Sequence, residues 1–247
     1  MFYSLYILSY LFVFFKDMLY FYNMTNQPIH PNFFGMETLR LYDFLPSGNG
    51  YKIRLLLTQI GIPFERVEVN ITNGETRTAE FLSKNPNGKI PVLEIQPGKY
   101  LTESNAIMVY LSEGTEFLPY DPYLRAQVLQ WLFFEQYSHE PYIATPRYWI
   151  SILGKAEEYS VAIEQKREQG YAAFKVMENH LSNHHFFVGD RYTIADIGLF
   201  AYTHVAEEGG FNLSPFAAIQ AWIERVIAQP GYIRITEEIK TFQTVEL

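Results

Sequence analysis

A chain of 247 residues, 48% apolar and 19% charged, has the balance of a packed soluble protein, which excludes disorder and fibrous repeats. Nineteen basic side chains against twenty-seven acidic ones leave a net charge of −8, so the chain has no positive excess with which to displace counterions from a phosphate backbone. Nucleic acid is therefore not an expected partner. There is no cysteine, which removes disulfides, thiolate metal sites and cysteine nucleophiles together; any thiol chemistry must borrow its sulfur.

Residues 1–35 form an apolar, aromatic extension in which Lys16 and Asp17 are the only charges. Three readings compete: a membrane-inserting segment, a secretory signal, or an extension upstream of Met24 or Met36 that is not native to the domain. No positive residue precedes the apolar run, and Tyr20-Phe21-Tyr22-Asn23 is a poor cleavage site, which disfavours the signal. Lys16-Asp17 interrupts the run after fifteen residues, short of the roughly 20 that a spanning helix needs. Membrane contact by residues 1–22 and a non-native extension both stay open, and the fold is read from residue 36 onward.

Leu39 to Phe44 alternates as a strand, and Pro46-Ser47-Gly48-Asn49-Gly50 breaks it. Ile53, Leu56, Leu57 and Ile60 follow at helical spacing, and Phe64 to Ile71 alternates again as a second strand. A strand, helix and strand of this length imply a parallel pair with a right-handed crossover. A short helix is expected over residues 79–84, a turn over 85–89, and a hairpin of Ile90 to Ile95 with Tyr100-Leu101 about Gln96-Pro97-Gly98. Glu103 to Glu113 closes the unit as a helix, giving the order βαβαββα.

Beyond Asp121-Pro122 no convincing strand appears, and the second half reads as a helical domain. Leu124, Val128, Trp131 and Leu132 mark one helix, and Phe174, Met177 and Leu181 the end of a longer one. Thr193-Ile194-Ala195-Asp196 has the form of an N-terminal capping box with Asp in place of Glu, and Ile219, Trp222, Ile223 and Val226 give a last stripe. The link Phe117 to Pro122 is short and stiffened by proline, so a domain of residues 36–117 and a helical domain of residues 122–247 should pack against each other.

In this order and spacing, Ser47-Gly48-Asn49-Gly50, Asn87-Gly88-Lys89-Ile90-Pro91-Val92-Leu93, Glu103-Ser104 and Thr193-Ile194-Ala195-Asp196 resemble the cytosolic glutathione transferase family over residues 37–231. The loop before the first helix looks most like the bacterial nu-class branch. The resemblance implies an α/β plus all-α protein: a thioredoxin-like βαβαββα domain that binds glutathione, followed by a helical-bundle domain that holds the second substrate. It also implies a cytoplasmic homodimer active in detoxification, conjugating glutathione as co-substrate to a hydrophobic electrophile. Glutathione-dependent disulfide or peroxide reduction, and a non-catalytic binding protein of the same fold, are the alternatives.

The residues can be read for the same chemistry. A cis Ile90-Pro91 peptide before a strand would turn the backbone of Ile90 outward, and a tripeptide could lie along it as an added strand; an ordinary trans proline is the plain alternative. The family role of Glu103-Ser104 is to grip the γ-glutamyl end at the start of a helix, whose first N–H groups lack intrahelical partners, and Lys89 would reach the glycyl carboxylate. A free thiol near pKa 8.5 must be ionised. The Ser47 hydroxyl, the Asn49 amide and the helix N-terminus are the candidate catalytic groups, with Tyr51 in reserve. The same loop also reads as an ordinary helix cap. Tyr137 and Arg147 are the candidate pocket contacts of the helical domain, although most aromatics of that span belong to a core. His180 and His184 lack a third ligand at helical spacing and His139-Glu140-Pro141 lacks HExxH spacing, so no metal is expected.

Overall fold

The computed structural model describes residues 38–238; the extension at residues 1–35 lies outside them. The first half carries β1 (Leu39–Asp43), α1 (Gly48–Gln59), β2 (Phe64–Glu68), α2 (Ala79–Lys84), β3 (Val92–Gln96), β4 (Lys99–Thr102) and α3 (Ser104–Ser112). The strands lie in the order β2-β1-β3-β4, with β1 and β2 parallel and the other pairs antiparallel. This is the thioredoxin-like arrangement, with the helix order that the apolar spacing requires. Strand β2 ends three residues before the expected Ile71, and the polar stretch after it folds into two 3-10 turns at Ile71–Asn73 and Glu75–Arg77. Asn70 accepts from the Thr72 amide there, and this Asx turn takes the backbone out of the ladder.

The second half is helical: α4 (Pro122–Phe134), α5 (Glu140–Arg147), α6 (Ser160–Leu181), α7 (Ile194–Thr203) and α8 (Ala217–Ile227). Asp121 caps α4 through the Leu124 amide with Pro122 in the first turn, and both halves of the capping box of α7 form between Thr193 and Asp196. The carboxylate of Asp196 also accepts from the Trp222 indole at 3.0 Å and the Phe187 amide at 3.2 Å. Wide π turns at Glu135–His139 and Tyr148–Ile152 follow α4 and α5. Neither turn was anticipated. Pro141 cannot donate backward, and the widened turn just before it lets the rod continue where a regular helix would break.

One apolar core runs through both halves, from Leu41 and Leu55 of the sheet domain to Leu132, Phe200 and Trp222 of the bundle. The Ile194 amide donates to the Phe117 carbonyl at 3.0 Å, fastening the start of α7 to the interdomain link. Among the described residues, no helix is long and apolar enough to cross a membrane.

Candidate active site

The register of the sheet brings the candidate segments to one end. Val92 pairs with Tyr42 on one side and Thr102 on the other. The loop after β1, the Ile90-Pro91 peptide before β3 and Glu103-Ser104 after β4 therefore share an edge. The Ile90-Pro91 bond is cis. Glu103 is exposed and adopts a left-handed φ of 66°, and Ser104 beside it is buried as the first residue of α3.

The loop before α1 is pinned from several sides. Ser47 accepts from the Gly50 amide through its Oγ at 3.3 Å, and its main-chain amide donates to the Phe44 carbonyl at 2.7 Å. Because that oxygen is an acceptor toward the helix, its own proton points elsewhere and is free for another partner. Arg54 donates to Leu45 O at 2.7 Å and to Asp43 Oδ2 at 2.9 Å, both residues of the pair being buried. Burial pushes the Asp43 carboxyl up to about 6, against the pull of Arg54. The two glycines are steric necessities. A Cβ on Gly48 would stand 2.6 Å from the Tyr202 ring, and one on Gly50 would stand 1.5 Å from Asp43 Oδ1.

Asn49 is the centre of a polar cluster that joins both domains. Its Oδ1 accepts from Lys52 Nζ at 2.8 Å and from Ser104 Oγ at 3.2 Å, while its Nδ2 donates to Glu140 Oε1 at 3.2 Å. Its main-chain amide donates to the Tyr202 hydroxyl at 3.2 Å. One Nδ2 proton is left over. Lys52 also pairs with Glu135 Oε1 at 2.8 Å, and both side chains are 0% exposed. Beneath them His139 sits fully buried with Nε2 2.8 Å from Thr203 Oγ1. The Thr203 proton goes to the Leu199 carbonyl, so His139 Nε2 carries the hydrogen. Burial, helped by the Lys52 charge, pushes this imidazole down to about 3, leaving it neutral. Glu140 is pushed up by burial, with Lys52 and more weakly Lys89 pulling the other way; Lys89 is exposed at this mouth.

The structure thus brings Ser47, Asn49 and Ser104 together, and sets Lys89, Ile90, Pro91 and Glu103 along the same edge. The Ser104 hydroxyl is turned to Asn49 and accepts from Lys52 at 3.3 Å. Tyr51, the reserve for the thiol, is fully buried and donates to the Ile233 carbonyl at 2.7 Å, so its proton is committed to the C-terminal segment. Tyr137 is 82% exposed on the π turn after α4. Arg147 is not open to a pocket: its guanidinium donates to Glu208 at 2.8 Å and to the Pro46 carbonyl at 2.7 Å, with 6% of the side chain exposed. Lys52, Glu135, Glu140 and Tyr202 escaped the sequence reading. Lys52 and Glu135 had a signal, since each is a charge on an inward helical stripe, Lys52 ahead of Leu55 and Leu56, Glu135 after Val128 and Leu132. Among the described residues there is no cluster of three or more His, Asp or Glu that could hold a metal.

The family model for the glutathione S-transferase N-terminal domain matches residues 37–113, and that for the C-terminal domain matches residues 133–230. A glutathione S-transferase from Pseudomonas fluorescens is 50% identical, with a TM-score of 0.80 over 81% of this chain and 100% of that one. The disulfide-bond oxidoreductase YfcG of Escherichia coli is 29% identical over 195 residues, 76% of this chain and 90% of its own. A glutathione transferase from Pseudomonas putida, crystallised with one glutathione disulfide per subunit, is 28% identical with a TM-score of 0.70 over 79% of this chain and 89% of that one. The chain belongs to the glutathione S-transferase family.

Proposed function

We propose that the protein is a glutathione transferase in which Ser47 and Asn49 hold the glutathione thiol as a thiolate for attack on a hydrophobic electrophile. The observation that carries this reading is the Asn49 amide, fixed at the start of α1 between Lys52, Ser104 and Glu140 with one proton unspent. With the Ser47 hydroxyl and the positive end of α1, it supplies the donors that an anionic sulfur requires. Lowering a thiol pKa by about two units takes about 2.7 kcal/mol, within reach of two hydrogen bonds and a helix terminus, so no protein base is needed. In this reading the tripeptide main chain lies along Ile90 beside Pro91. Its γ-glutamyl end meets Glu103, Ser104 and the first amides of α3, and its glycyl carboxylate meets Lys89. Residues 36–117 bind glutathione and the helices of residues 122–247 hold the electrophile, Tyr137 at the rim and Arg147 bracing the loop. The reading also makes the protein a cytoplasmic homodimer with a role in detoxification, which light scattering tests for the dimer.

A second reading, glutathione-dependent disulfide reduction, is favoured by the glutathione disulfide held by the Pseudomonas putida relative and by the name of the Escherichia coli one. A cysteine-free site performs it only if a second glutathione supplies the resolving thiol. Retention on immobilised glutathione followed by assays with an aryl halide and with a mixed disulfide separates the readings. Conjugation of the halide is the result expected; turnover of the mixed disulfide alone selects the second reading, and no retention rejects both.

A further inference from the structure

Lys52 makes hydrogen bonds to Asn49 Oδ1 (2.8 Å), Glu135 Oε1 (2.8 Å), Ser104 Oγ (3.3 Å) and Asn105 Oδ1 (3.4 Å). An ammonium has only three protons, so the two shortest contacts are the dominant ones and the longer pair share what is left. We propose that Lys52 is a positioning residue: it fixes the rotation of the Asn49 amide so that an Nδ2 proton faces the sulfur of bound glutathione. The inference rests on the functional reading above and adds to it the group on which the thiolate contact depends.

The two ends of an amide have nearly the same shape, and only its partners decide which way it lies. Lys52 can only donate, so it selects the oxygen; Glu140 offers a carboxyl oxygen on the other side and selects the nitrogen. The opposite rotation would set an NH2 against an ammonium and an oxygen against a carboxyl oxygen. Ser104 now shares in holding the Asn49 oxygen, but it has one proton. When that hydroxyl turns to the carboxylate of a ligand, Lys52 still holds the amide. Glu135 lies 2.8 Å from Nζ and offsets the lysine's field at the sulfur, so the influence of Lys52 passes through the amide and not through long-range charge.

The test is a titration of the bound glutathione thiol by its thiolate absorbance in parent protein, Lys52→Met/Glu135→Leu, and the same pair with Asn49→Ala. Removing both charges together leaves neither buried alone. The pair is expected to keep glutathione affinity and to raise the bound thiol's pKa by about one unit, a tenfold loss of thiolate below that pKa. Once Asn49 is alanine, the pair is expected to shift nothing further. A pKa unchanged by the pair, or an equal shift without Asn49, overturns the role. Lys52→Met/Glu135→Gln provides a second neutral pair that keeps an acceptor for the Asn105 amide. It is expected to raise the thiol pKa in the same way, and an unmoved pKa, or an equal shift without Asn49, overturns the role. A parent that leaves the thiol at its solution pKa overturns the functional reading and this inference together. A depressed parent pKa that the pair does not move overturns Lys52 alone.

Discussion

Arg147 Nη1 donates to the carbonyl of Pro46 at 2.7 Å, across 101 positions of sequence, and so a residue of the helical domain holds the loop from which α1 starts. That bond adds to the hold on the neighbouring Ser47, which is also tied to the Phe44 carbonyl and the Gly50 amide. Arg147→Ala should cost about 2 kcal/mol, the usual scale for a buried charge-assisted hydrogen bond, and should also raise the pKa of bound glutathione. Thermal unfolding and thiol titration on the same variant check both effects; lost stability with an unmoved thiol would separate Arg147 from the site.

Gly48 and Gly50 are required by close approach. Gly50→Ala places its Cβ inside the Asp43 carboxylate, which is itself held by Arg54 and the Phe44 amide, so there is no flexible end to yield. Its expected penalty exceeds the 1–3 kcal/mol typical of overpacking. Gly48→Ala meets the ring of Tyr202, a single side chain, and combining it with Tyr202→Ala should recover part of the loss. Denaturant unfolding of the two singles and the pair measures the coupling.

Asp43 and Asp196 carry the pH prediction. Both carboxyls are pushed up to about 6 by burial, above the value of about 3.8 from which they start. Between those values the folded chain binds more protons at these sites than the unfolded chain, so their contribution to stability is full below the lower value. It declines as pH rises toward the upper one. Asp196→Asn removes the slope at one site, so its penalty should be larger near pH 4 than near pH 7. Unfolding at the two values checks the sign, and a penalty that grows with pH would contradict it.

Much of this was legible because local signals and tertiary packing agreed. The alternation at Leu39 to Asp43, the apolar spacing from Ile53 to Leu57 and the Thr193-Asp196 box each specify the element that forms. The thiol-side candidates Ser47 and Asn49 were visible as a breaker motif before a helix. The rest depended on distant partners. Lys52 and Glu135 lie 83 positions apart, and only the packing of α1 against the end of α4 shows that two inward charges neutralise each other. Arg147 looked like a polar tip at a pocket mouth because its acceptor, the Pro46 carbonyl, carries no side-chain signature. The π turns were not legible because their closing bonds, from the Glu140 amide to the Glu135 carbonyl and from the Leu153 amide to the Tyr148 carbonyl, are main-chain contacts with no side-chain signature.

The proposed reaction turns on the ionisation of a thiol that the protein, without cysteine, does not itself contain. Titrating bound glutathione in parent protein and in Ser47→Ala/Asn49→Ala measures it directly. The prediction is a thiol about two units below its solution value near 8.5 in the parent, returning toward that value in the variant while glutathione affinity stays close to the parent's. The same titration curve in both proteins would contradict it.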